Sequence, residues 1–496
     1  MDLLVRGATV YDGTGGPARV ADVAVTAGRI EAVGDLSAAH AGTEIAAGGL
    51  ALAPGFIDVH SHDDFAVFLM PEMDFKVGQG VTTSVVGNCG LGAAPFGSAQ
   101  RYLPFFGADN HRGLLPNWTT YGDYLDAVDS DPPSLNVAVL VGHGTLRIDA
   151  MGNERRAPTD GELATMLDTL AAGLDAGCVG YSTGLVYEPG RYSHTDELVT
   201  LAQEMAQFGG VYTSHMRNEG VGLLDAVGET IRVGEDGGVP VQISHHKATG
   251  RSAWGLVHDS LAFVDGARAR GVDVTADQYP YTASSTGLFA VLQNHEERSQ
   301  GIGAVEWERV TLASAPRHVE WEGRSVTDLA GELGTDPVEA ARRIVDAEGY
   351  GAVVVIEGMN EEDVRTVMAH PTTMIGSDGI PSFGGKPHPR LYGTFARVLG
   401  HYARDEHVFP LEVAVHRMTG MPAAKFGLTG RGVIERGARA DLVLFDPATI
   451  NDTATYEAPR RHPTGISAVW VNGTCVVRDG VHTAERPGGA LRRAGA

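Results

Sequence analysis

Between residues 55 and about 430, short apolar runs rich in Val, Ile and Ala recur, and stretches with helical spacing of apolar positions separate them. Eight such runs stand out as candidate strands: 55–61, 81–88, 136–142, 177–183, 211–216, 240–245, 272–279 and 372–378. Near-continuous apolar strands alternating with amphipathic helices are the pattern of parallel β/α units, whose strands are buried on both faces. Asp160 to Ala176 is a typical crossover, with an acidic start and then Leu163, Met166, Leu167 and Leu170 on one side. Eight strands are the number that closes a (β/α)8 TIM-like barrel.

The two ends follow a different pattern. Leu3-Leu4-Val5-Arg6-Gly7, Val23-Ala24-Val25 and Arg29-Ile30-Glu31-Ala32-Val33-Gly34 are short strands with Gly-rich turns. Gly432-Val433-Ile434, Ala440 to Asp446 and Val469-Trp470-Val471 form a matching set near the C-terminus. This predicts a small β-sandwich domain built from both chain ends, residues 1–54 and 431–496, with the barrel at 55–430 inserted into it. The gap between the seventh and eighth strands is too long for one crossover and predicts a small inserted subdomain at 287–350.

Charge and cysteine content narrow the function. Lys+Arg 38 against Asp+Glu 62 gives a net charge of −24, which disfavours nucleic acid and anionic membrane surfaces as partners. An anionic small molecule would need locally placed cations. The N-terminus lacks the basic start and apolar core of a signal peptide, and no apolar window reaches the length of a membrane span. Cys89, Cys178 and Cys475 are odd in number and scattered, which gives no disulfide framework. A cytoplasmic enzyme is the expectation, with the oligomeric state left open.

Candidate metal ligands recur where the predicted strands stop. Strand 1 ends in His60-Ser61-His62, strand 2 in Gly87-Asn88-Cys89-Gly90, strand 5 in Ser214-His215-Met216, strand 6 in Ser244-His245-His246-Lys247 and strand 8 in Gly376-Ser377-Asp378-Gly379. In a barrel these ends converge on one face, where imidazole, thiolate and carboxylate can share one or two zinc ions. Taken singly, each has a plainer reading: Cys89 as a small buried hydrophobe, Asp378 as a turn-former before Gly379. His245 and His246 point to opposite faces, so one is a ligand and the other packs, and parity does not decide which. His143, also at a strand end, is a candidate to support the ligands from behind or a plain loop residue.

Together, Pro54 to His62, the later strand-end histidines and Gly376-Ser377-Asp378-Gly379 resemble the amidohydrolase superfamily. Gly87-Asn88-Cys89-Gly90, Ser214-His215-Met216-Arg217-Asn218-Glu219, Ile243-Ser244-His245-His246-Lys247, Tyr279-Pro280-Tyr281 and His388-Pro389-Arg390 are similar to its D-aminoacylase branch, the N-acyl-D-amino-acid deacylases. The resemblance implies that Cys89, His215 and His245 hold a tightly bound zinc, that His60 and His62 serve a second, weaker site, and that Asp378 is the catalytic carboxylate. It settles the choice between His245 and His246 for the first. Many binuclear superfamily members use a lysine on strand 4, and residues 177–183 contain none, which agrees with a bridging role for Cys89.

An acyl amino acid carries a free carboxylate, which a guanidinium grips with two hydrogen bonds. Arg390 is the first candidate, with Tyr279 or Tyr281 adding a hydroxyl and Lys247 a second cation; Tyr187 and Tyr192 are candidate pocket walls. The reaction expected is zinc-dependent amide hydrolysis of N-acyl-D-amino acids, with dipeptides ending in a D-residue as a further substrate class. A cyclic amide hydrolase or deaminase on the same barrel is the first alternative, and a metal-free, non-catalytic scaffold the second.

Overall fold

A computed structural model describes residues 1–297 and 301–493. The chain opens with β1 (Leu3–Val10), β2 (Arg19–Thr26), β3 (Arg29–Gly34), β4 (Thr43–Ala46) and β5 (Ala51–Pro54). Their alternating apolar residues, among them Leu3, Val5, Val23 and Val25, bury one face. Ala27 and Gly28 take φ of 49° and 72°, the left-handed pair that a two-residue β2–β3 hairpin needs. β1 pairs with β4 along its first half and with β5 at its end, both in parallel.

From β5 the chain runs straight into the barrel: β6 (Phe56–Asp58), β7 (Val81–Val86), β8 (Asn136–Gly142), β9 (Gly180–Gly184), β10 (Val211–His215), β11 (Val241–Ile243) and β12 (Val274–Gln278). Next come β13 (Ala283–Gly287), β14 (Val310–Ser314) and β15 (Val353–Glu357), a separate antiparallel sheet of three strands. With the helices Leu288–Glu296, Val326–Leu333 and Pro337–Glu348 it has its own core around Leu288, Val310, Leu312 and Ile344. β16 (Thr373–Ile375) then returns to the barrel beside β12.

The eight barrel strands lie in sequence order, and every neighbouring pair is parallel. The ring closes just beyond the strand ends, where the amide of Asp378 donates to the carbonyl of His60 (2.7 Å) and that of His62 to Gly379 (3.2 Å). The seam therefore runs through the proposed ligands. β17 (Leu442–Phe445), β18 (Ile466–Val471), β19 (Thr474–Arg478) and β20 (Val481–His482) follow, and β17 pairs with β5 so that both chain ends share one nine-stranded mixed sheet. β21 (Gly489–Leu491) crosses over to pair with the first half of β8, whose second half pairs with β9. The predicted barrel and terminal β layer are thus both present. Among the described residues, no helix is long and apolar enough to cross a membrane.

Candidate active site

His60, His62, Cys89, His215, His245 and Asp378 meet at the C-terminal end of the barrel, all buried. Their donor atoms form two overlapping groups that share Cys89: His60, His62, Cys89 and Asp378, and Cys89, His215 and His245. In the second group Cys89 Sγ lies 3.6 Å from His215 Nδ1 and 3.7 Å from His245 Nε2. A tetrahedral zinc with ordinary bond lengths sets sulfur and nitrogen ligands about 3.6 Å apart. In the first group His60 Nε2 is 3.3 Å from Cys89 Sγ, and Asp378 Oδ1 is 3.5 Å from His60 Nε2 and 3.2 Å from His62 Nε2. Imidazole, thiolate and carboxylate at these separations fit zinc, so the residues present can hold one ion or two.

The backbone is bent to make this possible. Cys89, His245 and Asp378 all have positive φ, 54°, 37° and 49°, a conformation that costs an ordinary residue energy and persists where its surroundings enforce it. For Cys89 the enforcing partner is β9. Ser182 Oγ accepts from the amide of Gly90 (3.0 Å) and donates to the carbonyl of Gly87, while a side chain at Gly184 would come within 2.1 Å of the Cys89 carbonyl oxygen. Small residues on β9 therefore admit the cysteine turn. Just past β16, a side chain at Gly376 would lie 2.5 Å from His60 Cβ.

Carboxylates hold the histidines from behind. Asp277 Oδ1 stands 3.2 Å from His60 Nδ1 and accepts from the amide of His245 at 2.7 Å. Glu219 Oε1 lies 2.9 Å from His245 Nδ1 and 2.6 Å from Lys247 Nζ. Beneath His60, the fully buried Lys76 binds Asp58 (2.5 Å) and Ser377 (2.8 Å), joining strand 1 to strand 8. Burial pushes the Cys89 thiol up, but the charge of His60 and hydrogen bonds from His215, His245 and His60 outweigh it and hold the thiol well below its ordinary range. Burial likewise raises Asp378, and Arg390, His60 and His62 overcome it and hold the carboxyl well below the usual range.

A profile of the amidohydrolase family matches residues 43–357 and 267–477. D-aminoacylase of Alcaligenes xylosoxydans xylosoxydans is 42% identical over 495 residues, covering 100% of this chain and 98% of its own. The chain belongs to the D-aminoacylase family of the amidohydrolase superfamily. Its fold is similar to that of the N-acyl-D-glutamate deacylase from Bordetella bronchiseptica, solved with zinc and a phosphonate mimic of the reaction's tetrahedral intermediate (TM-score 0.90, 40% identity, 99% of each chain). A D-aminoacylase whose binuclear centre shows one-metal activation and second-metal attenuation is equally close (TM-score 0.89, 39%, 99% of each chain).

The remaining candidates of this D-aminoacylase family member are placed unequally. Arg390 is fully buried, 2.9 Å from Asp378 Oδ2 by Nη1 and 4.5 Å above the Tyr279 ring. Lys247 approaches the same ring at 5.7 Å. Both cations thus neighbour the Tyr279 ring, and its hydroxyl and Arg390 Nε have no hydrogen-bond partner among the described residues. Tyr281 instead packs on His388 and under Arg397, two turns farther along the Arg390–Arg397 helix. Tyr187 stands edge-on to His215 at 4.8 Å, with its hydroxyl bonded to Thr286. Tyr192 bonds to Glu188, and His143 to Glu197 (2.8 Å), which Arg147 also binds; neither meets the ligand cluster through these contacts. His246 turns outward to Ser260 (2.8 Å) on the Leu256–Ala269 helix.

Glu219, Asp277, Asp58 and Lys76 carry structural roles at the site that sequence reasoning did not assign. Asp277 and Asp58 had a signal available, an acidic residue inside an apolar barrel strand, where a charge survives only if paired. Phe105 and Phe106, from the loop after β7, pack against His62 at ring distances of 6.4 and 6.2 Å.

Proposed function

We propose that this chain hydrolyses the amide bond of N-acyl-D-amino acids in a zinc-dependent reaction, releasing the free D-amino acid and a carboxylic acid. The observation that carries the reading is the adjacency of two structures: a six-donor metal cluster, and beside it a buried guanidinium and tyrosine hydroxyl with unsatisfied hydrogen bonds. Cys89, His215 and His245 would hold the tightly bound ion, with His60, His62 and Asp378 completing the second group. When bound, zinc supplies a Lewis acid that lowers the pKa of water toward 7.

Arg390, Tyr279 and Lys247 grip the substrate's carboxylate, which answers the difficulty of an anionic substrate on a chain of net charge −24. Tyr187 forms a wall beside His215. This fixes the scissile amide next to Asp378, whose carboxylate takes a proton from the attacking water as the new C–O bond forms. The same carboxyl delivers that proton to nitrogen as the C–N bond breaks, so the amine leaves neutral. Arg390 also sets the basicity of Asp378: once its charge is shared with substrate, the carboxylate is released toward its ordinary range and becomes a better base.

The test is incubation of zinc-loaded protein with a panel of N-acetyl-D- and N-acetyl-L-amino acids, reading released amine. Cleavage of the D series is expected; cleavage confined to the L series, or none after zinc loading, overturns the proposal.

A further inference from the structure

We propose that Glu219 is a positioning residue that couples zinc affinity to recognition of the substrate carboxylate. The residue is 2% exposed, and its carboxylate stands where two functions meet. Oε1 lies 2.9 Å from His245 Nδ1, 3.9 Å from His215 Nε2 and 2.6 Å from Lys247 Nζ. The backbone around it is fixed, with the Glu219 amide donating to Gly301 and its carbonyl accepting from Thr249, both at 2.8 Å.

The chemistry turns on one proton. Lys247 Nζ is also 2.9 Å from His245 Nδ1. Were the ammonium to donate there, the neutral ring would carry its proton on Nε2, the atom that faces Cys89 and His215, and that nitrogen would cease to be a metal ligand. Glu219 prevents this by accepting from both groups. It draws the ring proton to Nδ1, leaves Nε2 bare for the ion, and gives the lysine proton another acceptor. Lys247 is at the same time one of the cations assigned to the substrate carboxylate, a point that rests on the proposed function. When a carboxylate engages Lys247, Glu219 is left to His245, and the imidazole becomes a stronger donor. Zinc and the anionic substrate therefore reinforce one another through a single oxygen atom, reciprocally, as linkage requires.

Competition with a chromophoric zinc chelator reads the first half of this without any substrate, so its result stands whatever the substrate class. Glu219→Gln is expected to weaken zinc binding by roughly 10–100-fold, the usual effect of removing a carboxylate behind a ligating histidine. At saturating zinc it should also raise KM for an N-acyl-D-amino acid, and Glu219→Asp should recover part of both losses. Zinc binding by Glu219→Gln within twofold of the wild type overturns the proposal, as does zinc loss with unchanged KM. Should that variant not fold, Lys247→Met decides: freed from sharing, Glu219 should tighten zinc about threefold or more, and an unaltered affinity overturns the coupling.

Discussion

Cys89 sits in a left-handed turn between two glycines, and its thiolate belongs to both donor groups. Cys89→Ala is therefore expected to lose zinc from both positions together with activity, measured by metal content after gel filtration; an alanine variant that keeps a full complement of zinc would refute the shared role. Arg390→Met tests substrate recognition. Removing a buried cation from a carboxylate clamp should lower kcat/KM for acyl amino acids on the order of 100-fold, or ~3 kcal/mol, with a rise in KM from the lost clamp and a change in kcat from the altered basicity of Asp378. His246 gives a pH signature separate from catalysis. Burial, with the charges of His370 and Lys247 adding to it, pushes its imidazole down to about 4. The unfolded chain takes up this proton near 6.5 and the folded one does not, so stability falls as pH drops from 6.5 toward 4 and is unaffected above 6.5. Denaturant titrations should show the wild type losing on the order of 2–3 kcal/mol more than His246→Gln between pH 7 and pH 4.

The six candidate ligands, which the structure gathers in one place, stood out in the sequence because metal-binding side chains are rare and recur at strand ends. Glu219 did not, because an acidic residue beyond a strand end becomes a histidine's partner only through neighbours brought from other strands, and the signal at Asp277 said that it must be paired without saying with what. The choice between Tyr279 and Tyr281 was likewise invisible, since it depends on which arginine of one helix, Arg390 or Arg397, each ring meets.

At the scale of elements, glycines at the end of β9 and just past β16 make room for the chemistry by lacking side chains. Gly184→Ala would drive a methyl to 2.1 Å from the Cys89 carbonyl oxygen, and no flexible side chain is there to give way. A loss of thermal stability together with weaker zinc binding is expected, whereas Gly331→Ala, on a helix with open space around it, should change neither. The strand count and the β/α alternation were readable from apolar runs, yet the strands proved shorter than their runs. β6 stops at Asp58 and β11 at Ile243, so His60, His62 and His245 stand on bent segments beyond the regular ladder. Strand parity alone could not have oriented them. Residues 177–183 showed only that a lysine was missing; that this strand packs against the cysteine turn is seen only in the contacts of Ser182 and Gly184.

Over the whole molecule, the last strand to form in sequence, β21, completes the first half of the barrel wall beside β8. Truncation after Arg486 should lower the melting temperature while leaving the ligand cluster, at the opposite end of the strands, able to bind zinc. The division of labour is consistent: the N-terminal rim holds the fold together and the C-terminal rim carries the site. Both chain ends could be recognised as β from their alternation, but neither sequence pattern indicated that one of their strands would cross to the barrel. The central claim, that a cysteine and two histidines from three different strand ends gather on one ion, is open to direct measurement. Zinc K-edge absorption on protein loaded with one equivalent of zinc should show one sulfur neighbour at about 2.3 Å with nitrogen neighbours at about 2.0–2.1 Å, the sulfur signal vanishing in Cys89→Ser. A coordination sphere of nitrogen and oxygen alone in the wild type would contradict it.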